Sequence, residues 1–209
     1  MNARPQTADQ LESGAARGGY EVVAIAASAG GLFALRAVLG RLPEGFPAAV
    51  LVVQHLDPRH RSLMAQVLGR RTTLPVGEAA DGDHLRPGTV FIAPPDRHLL
   101  VNAGGALSLT QTELVHFVRP SADLTFDSLA AAYEDRAIAV VLSGTGSDGS
   151  LGVQAIKQRG GTVIASDQAT SEFFGMPAAA IQTGAVDFIL PLDEIAPALI
   201  TLVGKGEVT

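Results

Sequence analysis

The chain has 209 residues, of which 47% are hydrophobic and 17% are charged, and its formal net charge at pH 7 is −6. This composition is too apolar for a disordered chain, and its acidic balance argues against a nucleic-acid-binding protein. No apolar run approaches the ~20 residues of a membrane span, and without cysteine the chain has no disulfide, thiolate nucleophile or cysteine-bound metal. We therefore expect a cytoplasmic protein with a sizeable core and no membrane insertion.

The polar segment Met1–Gly19 lacks hydrophobic periodicity and predicts a flexible tail. Residues 20–204 are expected to form a single domain, and residues 205–209 a short C-terminal tail. Within the domain, short apolar runs predict strands buried on both faces: Val22–Ala27, Val50–Gln54, Ala137–Leu142, Thr162–Ala165 and Ala185–Leu190.

Segments with helical spacing alternate with these strands. They run from Leu32 to Leu42 and from Leu63 to Leu68, then over Ser121–Tyr133, Leu151–Arg159, Pro177–Thr183 and Asp193–Val203. Ser121 is the expected N-cap of its helix, and Pro197 is compatible only with the beginning of the last helix. The alternation predicts an α/β fold with a parallel sheet covered by helices on both faces.

The middle of the chain has a different pattern. Thr89–Ala93, Leu99–Asn102 and Leu107–Thr110 are short, partly alternating runs, and Gly104-Gly105 lies between the last two. Such runs with a glycine turn are typical of β-hairpins. We expect an antiparallel patch appended to the main sheet.

Polar residues follow three of the most apolar strands. Ser28 follows the first, His55 the second, and the third leads into a Gly-rich loop that contains Asp148. Because the carboxyl ends of parallel strands meet at one edge of a sheet, neighbouring strands would bring these side chains together. A hydroxyl, an imidazole and a carboxylate form a nucleophile, its base and the group that orients the base. In this arrangement Asp148 would accept Nδ1–H of His55, and the turn around Ser28 would supply backbone donors for an oxyanion.

Each residue also has a simpler interpretation. Ser28 could be only a helix N-cap, His55 a hydrogen-bonded histidine under a loop, and Asp148 the cap of the helix that begins near Leu151. The loop Gly144–Gly149 could hold a phosphate, although it is neither a Walker motif nor G-x-G-x-x-G. His84, His98 and His116 form no evident ligand cluster, so we expect hydrogen-bonded or solvent-facing roles and no metal.

Six segments resemble the catalytic domain of CheB-type protein-glutamate methylesterases and occur in the family's order: IAASAGG (25–31), VVQHLDP (52–58), IAPPDRHL (92–99), RPSAD (119–123), LSGTGSDGS (142–150) and FGMP (174–177). The resemblance implies a doubly wound, mostly parallel sheet with an antiparallel hairpin. It also implies a serine hydrolase without a cofactor that removes methyl groups from glutamate γ-methyl esters on cytoplasmic helices of chemoreceptors, and that deamidates glutamines.

The family's catalytic residues fall on Ser28, His55 and Asp148, and its oxyanion donors on the backbone N–H groups of Ala29 and Thr145. The family's serine turn usually reads G-x-S-T-G-G, whereas Ala26 and Ala29 stand here at the Gly and Thr positions. Thr145 takes a position often held by Met. Both changes leave the backbone donors available.

Well-known members carry an N-terminal receiver domain, and Met1–Gly19 is too short to be one. The resemblance therefore predicts a freestanding catalytic domain, in which the receiver switch is either missing or supplied by a separate regulatory protein. Two other functions remain open: a catalytically weak binding or regulatory module in chemotaxis-type signalling, and a nucleotide or phosphosugar binder. The loops 56–61 and 171–176 are the expected docking surface for the substrate.

Overall fold

The computed structural model describes residues 19–55 and 62–204. Within these ranges the chain forms, in order, β1 (Val22–Ala27), α1 (Gly31–Leu39), β2 (Ala49–Gln54), α2 (Met64–Gly69), β3 (Val76–Glu78), β4 (Val90–Ile92), β5 (His98–Val101), β6 (Leu107–Thr110), α3 (Ala122–Tyr133), β7 (Ala137–Val141), α4 (Ser150–Gln158), β8 (Thr162–Ser166), α5 (Gly175–Gln182), β9 (Phe188–Leu190) and α6 (Leu192–Gly204). The predicted tail 1–19 lies outside the described residues except for its last residue, and 205–209 lies outside them entirely.

The central sheet has seven strands in the order β3-β4-β2-β1-β7-β8-β9, and every pair of neighbours is parallel. From β1 the chain first builds outward through β2, and it later returns to the other side of β1 with β7. This order confirms the doubly wound, mostly parallel sheet. The loops that follow β1 and β7 leave neighbouring strands at the point where the winding direction changes, which is where such sheets bind ligands.

Alternating side chains of the strands build one core on each face of the sheet, since successive residues of a strand point to opposite faces. Val23 and Ile25 of β1 pack in the core covered by α1, α2 and α6, whereas Val22 and Ala24 pack in the core covered by α3, α4 and α5. All six residues of β1 and all six of β2 are buried. Burial on both faces explains why these strands read as continuous apolar runs.

The predicted hairpin is present, but it is smaller than expected. β5 and β6 pair antiparallel around Gly104-Gly105 and form a separate two-stranded sheet. The prediction for Thr89–Ala93 was wrong, because its central residues form β4 between β2 and β3 in the parallel sheet. All three residues of β4 are buried, as a strand inside a parallel sheet requires. β3 was not predicted, since its sequence Val-Gly-Glu carries no apolar run.

Pro197 lies inside α6, further from its beginning than the sequence led us to expect. Proline has no N–H to donate to the carbonyl four residues earlier, which here belongs to Asp193. Nη1 of Arg41 donates a 2.6 Å hydrogen bond to that carbonyl oxygen. A side chain from the segment after α1 thus replaces the missing helical bond. Among the helices within the described ranges, none is long and apolar enough to cross a membrane.

Candidate active site

The three predicted site residues come from adjacent strands. β1 lies between β2 and β7, Ser28 directly follows β1, His55 directly follows β2, and Asp148 lies in the loop between β7 and α4. A hydrogen bond links the turn after β1 to the loop after β7, because Ser28 N–H donates to the carbonyl of Ser143 at 3.0 Å. His55 N–H donates to the carbonyl of Ala27 at 3.2 Å. The backbones of Ser28 and His55 are therefore held side by side at one edge of the sheet.

His55 and Asp148 are in direct contact. Nε2 of His55 lies 2.8 Å from Oδ2 of Asp148, and the side chains are 13% and 3% exposed. The prediction that Nδ1 faces the carboxylate was wrong, because Nε2 does. Asp148 approaches from beyond β1, so the distal nitrogen of the ring is the one that reaches it. Nδ1 of His55 forms no hydrogen bond with any described residue.

Asp148 is held by more than the histidine. Its carboxylate accepts hydrogen bonds from Ser121 Oγ at 2.8 Å, from Ala122 N–H at 2.6 Å and from Asp123 N–H at 3.2 Å. Burial raises the pKa of Asp148, but the hydrogen bonds from His55, Ala122 N–H and Ser121 outweigh burial and keep the pKa below its ordinary value. The carboxylate is therefore ionised at neutral pH and can stabilise a protonated His55.

Asp148 does not cap α4, the helix that begins near Leu151, as the simpler interpretation would have it. Asp148 sits at the N-terminus of α3, and the N-terminus of α4 is capped instead by Asp123, whose Oδ1 accepts from Leu151 N–H at 2.9 Å and Gly152 N–H at 2.8 Å. Ser121 occupies the N-cap position of α3, but its hydroxyl donates to Asp148 rather than accepting a helical N–H. A carboxylate accepts helix N–H groups more strongly than a hydroxyl does.

Ser28 lies in the turn between β1 and α1. Gly30, with a φ of 71°, forms the N-cap of α1. Among the described residues, none forms a hydrogen bond with Ser28 Oγ, so the hydroxyl is not engaged in capping α1. The turn is braced from behind, because Ser143 Oγ donates to the carbonyl of Ala29 at 2.8 Å and accepts from Phe173 N–H at 2.9 Å.

The two predicted oxyanion donors are the backbone N–H groups of Ala29, in the turn after β1, and of Thr145, in the loop after β7. In the part of the chain that the structure covers, neither Ala29 N–H nor Thr145 N–H donates a hydrogen bond. The carbonyl that shares a peptide unit with Thr145 N–H is fixed, since Gly144 O accepts from Met176 N–H at 2.9 Å. In a trans peptide the N–H points away from the carbonyl, so Thr145 N–H points away from Met176.

Two further histidines have the hydrogen-bonded roles that the sequence analysis expected. His98 is fully buried, its Nδ1 accepts from Ser121 N–H at 3.1 Å, and its Nε2 lies 3.0 Å from the carbonyl of Glu113. Nε2 of His116 lies 3.1 Å from Oδ2 of Asp123. His98 therefore supports the residue whose hydroxyl bonds Asp148, and His116 supports the residue that caps α4.

Four further groups contact the site and were not predicted from the sequence: Gln54, Ser121 Oγ, Asp123 and Ser143. Gln54 donates from Nε2 to the carbonyls of Ser28 and His55 at 2.9 and 3.1 Å. The available signal was a polar residue ending an otherwise apolar strand, together with the serine and aspartate of the segment RPSAD. Apart from the adjacent His55, their partners in the site lie 25 or more residues away in sequence, so the chain alone could not identify them.

One of the two expected docking loops can be described. The loop 56–61 lies outside the described residues, whereas the loop 171–176 lies beside the turn that holds Ser28. A shallow pocket lies between the loop 171–176 and the start of α1, with Phe33, Ser143 and Glu172 among its lining residues. Phe33 and Phe173 are 66% and 40% exposed, so apolar surface is present next to the site.

Comparison with known proteins agrees with the fold. The family model described as CheB methylesterase matches residues 23–199. The crystal structure of the Thermotoga maritima CheB methylesterase catalytic domain superposes with a TM-score of 0.85 at 41% identity, covering 88% of this chain and 99% of that one.

Relatives named protein-glutamate methylesterase/protein-glutamine glutaminase occur in several bacteria. The one from Moorella thermoacetica is 44% identical over 91% of this chain and 46% of its own length, and one from Burkholderia orbicola is 45% identical over 88% and 54%. The chain thus spans about half the length of these relatives, but 95% of a relative from Leptospira interrogans that is 36% identical. On the family match and the shared fold, the chain belongs to the CheB methylesterase family.

Proposed function

We propose that this protein is a serine-type methylesterase that hydrolyses glutamate γ-methyl esters on the cytoplasmic helices of chemoreceptors, with deamidation of glutamine side chains as a second reaction. Membership in the CheB methylesterase family supports the reaction class. The single observation that carries the proposal is the 2.8 Å contact between His55 and the ionised Asp148, beside the turn that holds Ser28. Exposed apolar side chains around that turn suit a protein substrate.

In the proposed reaction, Ser28 Oγ attacks the γ-carbonyl carbon of the ester while Nδ1 of His55 takes the hydroxyl proton. Asp148 holds the ring through Nε2–H and stabilises its positive charge. The N–H groups of Ala29 and Thr145 bind the developing oxyanion. The carbon–methoxy bond then breaks, and methanol leaves with the proton from His55.

The second half of the reaction regenerates the enzyme. His55 removes a proton from water, the hydroxide adds to the glutamyl-serine ester, and the bond to Ser28 Oγ breaks as His55 returns the proton to the serine. The products are a glutamate side chain and free Ser28. With a glutamine substrate the same steps release ammonia in place of methanol.

The Ser28→Ala variant tests this proposal. It removes the nucleophile but no hydrogen bond of the described fold, so we expect an unchanged melting temperature and a kcat lower by roughly 10³-fold or more. Methanol release from methylated receptor membranes measures kcat. Ser147→Ala removes an exposed hydroxyl from the neighbouring loop and serves as the matched control. Near-normal turnover by Ser28→Ala would reject the serine mechanism.

A catalytically weak binding module is the alternative that one observation favours, because Ser28 Oγ has no hydrogen bond to His55 within the described residues. Catalytic hydrogen bonds of free enzymes often tighten only when substrate binds. A fluorophosphonate probe separates the two functions, since it labels only an activated serine. We expect labelling of the wild type and none of Ser28→Ala. An unlabelled wild type that still binds receptor would establish the module instead.

A further inference from the structure

Gln54 ends β2 directly beneath the turn that holds Ser28. It is 5% exposed in a strand whose other five residues are apolar and buried. Its Nε2 donates to the carbonyl of Ser28 at 2.9 Å and to the carbonyl of His55 at 3.1 Å. A single amide group therefore joins the backbones of the proposed nucleophile and the proposed base.

The other end of the same amide is unpaired. Oε1 of Gln54 is the one buried side-chain oxygen or nitrogen in the described residues that has no hydrogen-bond partner. The amide fits there only because position 31 is glycine, since a Cβ on Gly31 would lie 2.2 Å from Oε1. An apolar side chain of similar length would leave no unpaired acceptor behind. What Gln54 adds to the protein is thus the two hydrogen bonds that its nitrogen donates.

The hydrogen bond to Ser28 also fixes the direction of the next N–H. The carbonyl of Ser28 accepts from Gly31 N–H and from Gln54 Nε2, each at 2.9 Å, which uses both of its lone pairs. The peptide unit between Ser28 and Ala29 is planar, so its N–H must point opposite to this doubly held carbonyl. A flip of this peptide unit, which would turn Ala29 N–H to the opposite side, would break both hydrogen bonds.

From these contacts we propose that Gln54 is a positioning residue, which aims the Ala29 N–H at the oxyanion and holds the backbone of His55 in register with Ser28. This inference rests on the proposed function, in which Ala29 N–H stabilises the oxyanion. Gln54 itself touches neither the substrate nor the reacting atoms. Its effect belongs to the transition state, where the oxyanion forms, and not to binding of the ester.

The test is the Gln54→Met variant, which keeps the length of the side chain and removes both donors. We expect kcat for methanol release to fall by roughly 10- to 100-fold, with KM within about two-fold of the wild type, because loosening one oxyanion donor costs less than removing it. The midpoint of the pH–rate profile should not move, because the side chain of Gln54 does not contact the imidazole. The melting temperature should stay close to that of the wild type, since removal of the unpaired buried oxygen offsets the loss of the two donated hydrogen bonds.

Gln154→Met is the matched control, because Gln154 also donates an amide hydrogen bond to a backbone carbonyl, that of Ser150 in α4. A kcat for Gln54→Met within about two-fold of the wild type, or equal to that of Gln154→Met, overturns the positioning role. A variant whose KM rises while its kcat stays near that of the wild type also overturns the positioning role. If Gln54→Met does not fold, Gln54→Leu places less bulk beside Gly31 and carries the same expectation.

The wild type, measured in parallel, distinguishes the two proposals. If it releases no methanol and Ser28 is not labelled by fluorophosphonate, the proposed function fails, and the positioning role fails with it. If it releases methanol and Gln54→Met does so equally fast, only the positioning role fails.

Discussion

Asp148 caps the helix that contains Asp123, and Asp123 caps the helix that follows Asp148. This reciprocal capping holds the proposed catalytic carboxylate in place. Asp148, which precedes α4, accepts backbone N–H groups at the start of α3, and Asp123, in the first turn of α3, accepts those at the start of α4. Carboxylates at helix N-termini are favoured by the helix dipole and by its unpaired N–H groups. Each helix thus orients the acid of the other, and the loop between β7 and α4 is held at both ends.

The same two carboxylates respond to pH in opposite ways. The pKa of Asp148 lies below its ordinary value, so its contribution to stability is present above ~4 and is lost as the pH falls through its folded pKa. Burial raises the pKa of Asp123, the charge of Asp148 adds to this, and the N–H groups of Gly152 and Leu151 together with His116 offset it only in part. Ionised Asp123 therefore destabilises the fold, increasingly as the pH rises from ~4 through its raised pKa.

We predict that Asp123→Asn gains stability relative to the wild type as the pH rises from ~4. Asparagine keeps an oxygen for the N–H groups of α4 and carries no buried charge. Urea denaturation at a series of pH values from acid to neutral measures the difference in free energy of unfolding. Asp127→Asn, at an exposed position of the same helix, is the control. A difference that is constant or that shrinks with rising pH would contradict the assignment.

At the scale of the element, the turn between Val115 and Val118 has an unfavourable sequence. The two valines pair through backbone hydrogen bonds of 3.2 and 2.9 Å and enclose His116 and Phe117, whose φ values are 50° and 64°. Two positive φ values define a type I′ turn, which favours Asn-Gly. Phe117 is 94% exposed, so packing of its ring does not compensate for the strained backbone.

Phe117→Gly should therefore stabilise the protein. Relief of the left-handed backbone is worth about 1–2 kcal/mol, and the greater freedom of glycine in the unfolded chain removes part of it. A net gain of about 1 kcal/mol would raise the melting temperature by ~2–4 °C for a chain of this size. Phe117→Ala removes the same ring but keeps a Cβ, and it should show no such gain. The prediction fails if the glycine variant melts no higher than the alanine variant.

At the scale of the whole molecule, the two cores on either side of the sheet carry the stability. Because the central strands are buried on both faces, the outer faces of the helices are what contacts solvent. In α6, two adjacent residues lie on opposite sides of this boundary. Leu199 is fully buried in the core that α6 shares with α1, whereas Ile200 is 39% exposed. The same truncation at these two positions isolates the contribution of core packing.

Leu199→Ala should lower the free energy of unfolding by about 2–5 kcal/mol, because it removes buried methyl groups and leaves a cavity. Ile200→Ala should lower it by less than ~1 kcal/mol, since that side chain already contacts solvent. Chemical denaturation with a common m-value measures both. If the two variants lost similar amounts of free energy of unfolding, the conclusion that Leu199 lies in the core and Ile200 at its edge would be contradicted. Methanol release by the folded variants should stay near that of the wild type.

The sequence by itself predicted the fold class and the position of the site. Continuous apolar runs such as Val22–Ala27 can be satisfied only by burial on both faces, and the helical spacing between them supplies the layers that bury them. Polar residues directly after such runs, Ser28 and His55 among them, must then lie at one edge of the sheet. These inferences depend on the spacing of apolar residues along the chain, which the sequence shows directly.

Only the tertiary structure decided which strands are neighbours and which atoms meet. It placed Thr89–Ala93 in the parallel sheet, brought Nε2 rather than Nδ1 of His55 to Asp148, and set Gln54 beneath Ser28. His55 and Asp148 are 93 residues apart in the chain. Contacts of that kind follow from the packing of whole elements against one another, and hydrophobic periodicity carries no information about them.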